Sequence, residues 1–504
     1  MRQLLPACLL TIILCVFFEA ASSDSQTQTS RLKSEPVSRL TQDPGRAPRP
    51  ENPGVASGPL VRQEAEAELV LLRDDKPNSV WRWLRHSNDP TRRTYLIHGF
   101  ARMGVDPQLI IRRLKVENDA SARRALILSL GQFDGERLSE NLQRPLIPKL
   151  LRWYRDDPDA GIHSAIDWLL RYGRKGEVSR KLDWHQQDQL LAIDKELKGQ
   201  RIGRRNWYST NEGHTMVILR GPLNFLMGSP QNEPGRAVNE TQHRVRILRT
   251  IAIANKEVTV AQFQRFLEAN PKLEQAYPDS TKDPRRGSRV MQLSPDDDCP
   301  QIAMTWYEAA QYCNWLSKQE GIPASEWCYP TDLNQIKGGM ELPKDYLQRT
   351  GYRLLTEAEW EYACRAGALT SRFYGDAEEL LSEYAWYSKN PPKRKSDPPD
   401  PNDPQRTFPV GQLMPNDFGL FDMYGNVWEW AQDRWQEYPS TSTLRDDVED
   451  SLLKVVDGQA RTRRGGSFSY EALVMRSAHR GAPNVYFPMQ RRDNVGFRVA
   501  RTYR

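Results

Sequence analysis

The apolar residues of this chain change their period near residue 200, and that change constrains the fold more than any other feature. Upstream, Leu96, Phe100 and Met103 fall at i, i+4 and i+7. Ala122, Leu126 and Ser129 do the same with Ala125 between them, and Leu146, Leu150 and Tyr154 make a third stripe. Each stripe needs a neighbour to cover it, so residues 61–200 are expected to form a helical domain. Downstream, the run from Met216 to Ser229 alternates like a strand, turns at Gly221-Pro222 and resumes, which predicts a hairpin opening a second domain over 206–504. A chain of 504 residues has room for about three domains. Its 14 Trp argue for a folded core, while 35 Pro and 31 Gly ask for much irregular backbone.

The first 22 residues read as a secretory signal: Arg2, an apolar run from Leu4 to Phe18, then Ala20, Ala21, Ser22 and Ser23. The protein is therefore expected to be exported, with cleavage near Ser22; an uncleaved segment would anchor it to a membrane. Residues 23–60, rich in Ser, Gln, Thr, Pro and Arg, carry too little apolar surface to offset ordering entropy and read as a disordered linker. Basic residues (71) nearly balance acidic ones (65), which predicts mixed solvated surfaces and no nucleic-acid partner. Beyond the signal lie Cys299, Cys313, Cys328 and Cys364. Four thiols allow three disulfide pairings, with buried free thiols as the alternative.

Within 61–200, Asn88-Asp89-Pro90, Asn118-Asp119-Ala120 and Asp156-Asp157-Pro158 each precede an amphipathic run. Asn and Asp cap helices and Pro suits the first turn, so these are helix starts. Their recurrence resembles HEAT-type repeats, in which stacked helix pairs share a core; a plain helical bundle is the alternative. His98 and His163 read as ordinary helix residues. Such a region offers surface for a protein partner rather than chemistry.

In 206–504 the local signals agree with one another. Thr259 precedes the run Ala261 to Glu268, Thr305 stands three residues before Glu308, and Thr356 three before Glu359. The two Thr-x-x-Glu patterns are capping boxes, and Gly367 is placed to stop the last helix. These segments are joined by Asn416 to Trp430, containing Gly425-Asn426-Val427-Trp428-Glu429-Trp430, and by the terminal Gly465-Gly466-Ser467 and Gly496-Phe497-Arg498. Taken in order, they resemble the sulfatase-modifying-factor family, whose founding member is the formylglycine-generating enzyme. The resemblance implies an α+β fold, an irregular relative of the C-type lectin fold, following an all-α HEAT-like region.

The resemblance also sets what chemistry to expect. The family's oxidase binds copper(I) through two cysteines near its C-terminus, where thiolates suit the soft ion. Here that region is Ser469 to Met475 and carries no thiol; Met475 and His479 are the nearest soft or borderline ligands, so copper is not expected. No histidine cluster supports the family's iron-dependent branch. One calcium ion is implied around the Gly-Asn-Val-Trp-Glu motif, held by side chains of Asp422 and Glu429 and carbonyls of Gly425 and Val427, hard oxygens that suit it. A second calcium position is expected to be lost because Trp386 stands there. Trp428 and Ser467 match positions lining the family's substrate groove. Ser469, Tyr470, Arg476, Arg480 and Asn494 would add donors, an aromatic face and charge for a peptide, protein or small acidic ligand, unless the two arginines pair with carboxylates inside the fold. The Arg461, Arg463, Arg464 run reads as a solvated edge, and 391–406 as a mobile loop. No independent catalytic motif is present, and no catalytic residue is assigned. The sequence therefore favours an exported, non-oxidase binding or sensory module; the alternative is a formylglycine-generating oxidase that matures sulfatases.

Overall fold

A computed structural model describes residues 58–76, 79–171, 182–200, 202–276, 290–390, 405–439, 443–482 and 485–504. The expected signal segment, the linker up to residue 57 and residues 391–404 of the expected 391–406 loop lie outside the described residues. Helix replaces linker from Gly58 onward, because Pro59 near the start of Gly58–Arg73 suits a first helical turn.

Helices dominate the described residues up to about 200, and the three sequence stripes face inward. Gly58–Arg73 packs on Thr91–Arg102, which packs on Ala120–Leu130; that helix packs on Ala160–Leu170, which also meets Ile147–Asp156. The stripe residues are buried, Met103 partly so. Asp119 caps its helix by accepting from the Ala122 amide at 2.9 Å. The third start is shifted: Asp159, rather than Asp156 or Asp157, accepts from the Ile162 amide at 2.8 Å, and Asp157 instead accepts from the Asp159 amide. Pro158 fixes this, since the residue before a proline is biased away from helix.

After residue 206 the chain builds several small sheets. Five strands lie in the spatial order Trp207–Ser209, Thr215–Leu219, Ile251–Ala254, Val499–Thr502 and Tyr352–Leu354. The expected hairpin does not form. Thr215–Leu219 pairs with Trp207–Ser209 and Ile251–Ala254, whereas Leu223–Met227 pairs with His243–Ile247 in a different sheet. The burial patterns show why: the first strand is covered nearly throughout, while the second alternates buried and open positions as an edge strand does. The capping boxes at Thr259, Thr305 and Thr356 are all present, with Gln262 completing the first. At the end of the last of these helices Ala366 takes the left-handed position, followed by Gly367 at φ +89°. All four described cysteines are buried and free, so no disulfide pairing forms among them.

The helical part and the sheets share one core. Leu69, Leu126 and Trp168 belong to the same apolar cluster as Tyr374, Leu381 and Phe421. His98 and His163 are part of this junction rather than ordinary helix residues. His98 Nε2 lies 2.9 Å from the Tyr384 hydroxyl, and His163 is stacked between Tyr154 and Trp207 at 4.2 and 3.7 Å.

Candidate functional site

Three distant motifs meet on one strand. Trp428–Arg434 is the central strand of a three-stranded sheet, antiparallel to Arg461–Arg464 and parallel to Val495–Gly496. Trp428 stands opposite Val495, and Glu429 opposite both Gly496 and Arg464. The Gly-Asn-Val-Trp-Glu run, the arginine run and the terminal Asn494-Val495-Gly496 therefore form one structural unit.

On one side of this unit, five of the expected groove residues come together. Trp428 is buried and meets the partly buried Tyr470 edge to face at 5.4 Å. The Ser467 and Ser469 hydroxyls lie 3.1 Å apart, and Asn494 Nδ2 reaches Ser469 Oγ at 3.5 Å. His479 lies 5.7 Å from the Trp428 ring.

Arg476 and Arg480 do not belong to this face as charge donors. Arg476 is buried and spent on Glu240, at 2.7 and 2.8 Å, on Glu233 at 2.6 Å, and on the Gly235 and Leu473 carbonyls. Arg480 is buried against Glu357 at 2.7 and 3.0 Å, with the Asn239 and Gln436 carbonyls taking its remaining N–H groups. A buried guanidinium is tolerated only when so paired, and both arginines hold the irregular chain together.

The arginine run departs furthest from its solvated-edge reading: Arg461, Arg463 and Arg464 are all buried. Strand alternation splits them. Arg464 pairs with Glu361 at 2.5 Å and Glu357 at 3.2 Å on helix Glu357–Arg365. Arg463 instead lies among rings, its guanidinium carbon 4.0 Å from the Trp428 centroid and 3.2 Å from that of Tyr486. Burial pushes its basicity down to about 10. For Tyr470, burial raises the phenol but Arg463, Tyr486 and Trp428 outweigh it, leaving it below the ordinary tyrosine value. Sequence reasoning missed Arg463 and Tyr486; the i, i+2 spacing of Arg461 and Arg463 in a strand was the available signal.

Behind the strand lies a buried acidic group. Asp422, Gly425 and Asn426 all have positive φ (+53°, +73° and +52°), which curls the segment tightly. Gly425 is required there, because a Cβ would lie 2.0 Å from the Trp386 carbonyl oxygen. Trp386 itself is buried, stacked on Phe408 at 4.1 Å. Asp422 accepts from the Gly411 amide at 2.7 Å, and Glu429 from Trp360 Nε1 at 2.9 Å and Arg498 at 2.7 Å. Glu257, two residues before the Thr259 cap and not singled out from the sequence, joins them by accepting from Asn426 Nδ2 at 2.7 Å. Burial, then crowding by Asp422 and Glu429, pushes Glu257 well above the carboxylate range; burial also lifts Asp422, to about 6. Among the described residues no three His, Cys, Asp or Glu side chains converge as a metal-holding group by themselves. The group holds three buried carboxylates, of the hard-oxygen type that calcium takes, but the Glu429 oxygens already accept from Arg498 and Trp360.

Comparison with known proteins identifies the family of the second domain. Residues 206–503 match the family model described as the sulfatase-modifying factor enzyme 1-like domain. The chain belongs to the sulfatase-modifying-factor family. A formylglycine-generating enzyme of Mycobacterium tuberculosis is 30% identical over 303 residues, covering 54% of this chain and 93% of that protein. Chaperone protein LppX of Paenibacillus barcinonensis is 32% identical over 158 residues, 29% of this chain. The serine/threonine-protein kinase pkn1 of Chlamydia pneumoniae is 26% identical over 292 residues, 57% of this chain and 38% of the kinase. The match spans about half the length, 55%, of LppX.

Proposed function

We propose that this family member binds a ligand at the Trp428 face without oxidising it. The observation that carries this reading is the placement of thiols. Cys299, Cys313, Cys328 and Cys364 are buried and unpaired, and burial raises each thiol above its ordinary value, which disfavours the thiolate that copper(I) needs. The face itself presents hydroxyls, an amide and aromatic rings, which suit a peptide, a protein segment or a small acidic molecule. The names chaperone and protein kinase among the relatives fit a fold used for recognition as well as for catalysis.

The remaining parts complete the proposal. Residues 1–22 would direct export and 23–57 would act as a tether. The stacked helices, read as HEAT-like, would form a platform for a protein partner, rigidly joined to a lectin-related domain. One calcium ion would be held by Asp422, Glu429 and the carbonyls of Gly425 and Val427, with Glu257 adjacent. A second reading is supported by the Mycobacterium relative, matched over 93% of its length: a formylglycine-generating oxidase with relocated copper ligands.

The binding reading is tested with Tyr470→Ala and Ser469→Ala, because both positions reach the surface. Titration with an acidic peptide should show at least about tenfold weaker binding for Tyr470→Ala, the loss of one aromatic contact, with an unchanged melting temperature. Equal affinity in both variants and the parent would remove the face from the function.

A further inference from the structure

Of the two buried arginines of this strand that meet no carboxylate in an ion pair, Arg461 gives Nη1 to the Gln432 carbonyl at 2.8 Å, and Arg463 is the less satisfied. It is 2% exposed, yet Nε and Nη1 have no hydrogen-bond partner. No described carboxylate lies within ion-pair distance. Its neighbours are rings: Trp428, Tyr486 and, at 5.9 Å, Tyr470. Gly481 makes room for it, since a Cβ there would lie 2.5 Å from the Arg463 Cγ. Stacking attracts a guanidinium to aromatic faces but leaves its in-plane N–H groups unanswered, and burying those groups is costly. Arg353, Arg464, Arg476, Arg480 and Arg498, equally buried, each meet a glutamate.

A second orphan donor lies beside the first. Trp428 Nε1 is also buried without a well-aligned hydrogen bond, the Tyr470 hydroxyl approaching both it and Arg463, and its ring stacks under the Arg463 guanidinium. Tyr470 and Tyr486, the outer rings, are only partly buried, so the box is closed toward solvent by side chains rather than by backbone. Arg492, exposed and 5.5 Å from the Tyr486 ring, adds positive charge at the rim. Orphan donors, fixed positive charge and a side-chain wall together make a site that wants acceptors from outside the chain.

We propose that Arg463, with the Trp428 indole N–H, is the anchor for an oxyanion group of the ligand, a carboxylate or a tetrahedral sulfate or phosphate. The planar fork of a guanidinium matches two oxygens of such a group. This deepens the binding reading and rests on it, because it assigns the ligand its charged end. The partly buried Tyr470 and Tyr486 rings would flank the remainder of the ligand, with Ser469 and Asn494 beyond them.

The test uses the whole protein and two probes, N-acetyl-glutamate and inorganic sulfate, followed by calorimetry and by tryptophan fluorescence. At least one probe should bind saturably, more weakly as salt is raised. The two arms separate a carboxylate from a tetrahedral oxyanion. Arg463→Met should weaken that binding at least about tenfold, the value of one charge-assisted pair, and melt no lower than the parent, since it removes an unpaired buried charge. Should Arg463→Met fail to fold, Arg463→Lys decides: an ammonium lacks the fork, and affinity should fall at least about fivefold. No saturable binding of either probe, or unchanged affinity in the variant used, overturns the proposal. Neither result depends on whether the protein oxidises a peptide, so failure here is distinct from failure of the non-oxidase reading.

Discussion

Arg93 donates from Nη1 to both carboxylate oxygens of Asp417, at 2.8 and 2.7 Å, and so ties helix Thr91–Arg102 to the loop that precedes the acidic segment. His86 and Arg124 approach the same carboxylate, at 2.7 and 3.5 Å. Burial would raise Asp417, but the two arginines outweigh it and hold the group well below the usual carboxylate range. The helical domain is thereby fixed to the family domain through one side chain with three cationic or basic partners. Replacing Asp417 with Ala leaves the Arg93 guanidinium without a carboxylate in a largely buried junction, while Arg124 keeps Asp159 at 2.9 Å. A loss of about 3–5 kcal/mol is expected, measured by urea denaturation; a loss below about 1 kcal/mol would place the junction's strength elsewhere.

Acid should destabilise the protein through two buried histidines, His163 between Tyr154 and Trp207 and His214 beside Tyr312. Burial lowers His163 to about 4 and His214 to about 3, so both stay neutral in the folded protein well below the ordinary value of about 6.5. Their folded values are depressed, so the unfolded chain takes up protons first as pH falls. The stability they contribute is complete above about pH 6.5 and is lost as pH drops toward 4. For His163 the full loss is about 3 kcal/mol. His163→Phe, which keeps a ring between Tyr154 and Trp207, should flatten the decline of denaturation midpoint between pH 6.5 and 4. An unchanged slope would remove His163 as its source.

Removal of calcium should lower the melting temperature if the oxygen-rich loop holds an ion. Asp422→Asn should melt at the same temperature with and without chelator, because the ligand set has lost a charge. A parent protein indifferent to chelator and to added calcium would count against the site.

Gly425→Ala should be among the more damaging single changes. Its φ of +73° and a contact of 2.0 Å to backbone both oppose a Cβ, and neither neighbour can swing away. A loss of about 2–4 kcal/mol is expected from strain and displacement together. A variant as stable as the parent by denaturation would show that the loop can shift.

Legibility in the sequence followed the range of the interactions. The capping boxes at Thr305 and Thr356 and the stripes at Leu96, Ala122 and Leu146 are local, and the chain carries them in plain spacing. Pairing partners are not local: Met216 to Leu219 and Leu223 to Met227 look like one hairpin, and only the different coverage of the two strands sends them to separate sheets. Paired and unpaired arginines also look alike in a sequence. Arg476 and Arg480 find glutamates 236 and 123 residues away, and Arg463, two positions from Arg461 in the same strand, finds none among the described residues. The family motifs were readable because one central strand forces Trp428, Arg463 and Val495 together.

The claim that this protein binds without oxidising is tested most directly by incubating copper-treated protein with oxygen and a Cys-x-Pro-x-Arg peptide, then weighing the peptide by mass spectrometry. The account predicts an unaltered cysteine at every time point. Conversion of that cysteine to formylglycine, dependent on copper and oxygen, would contradict it.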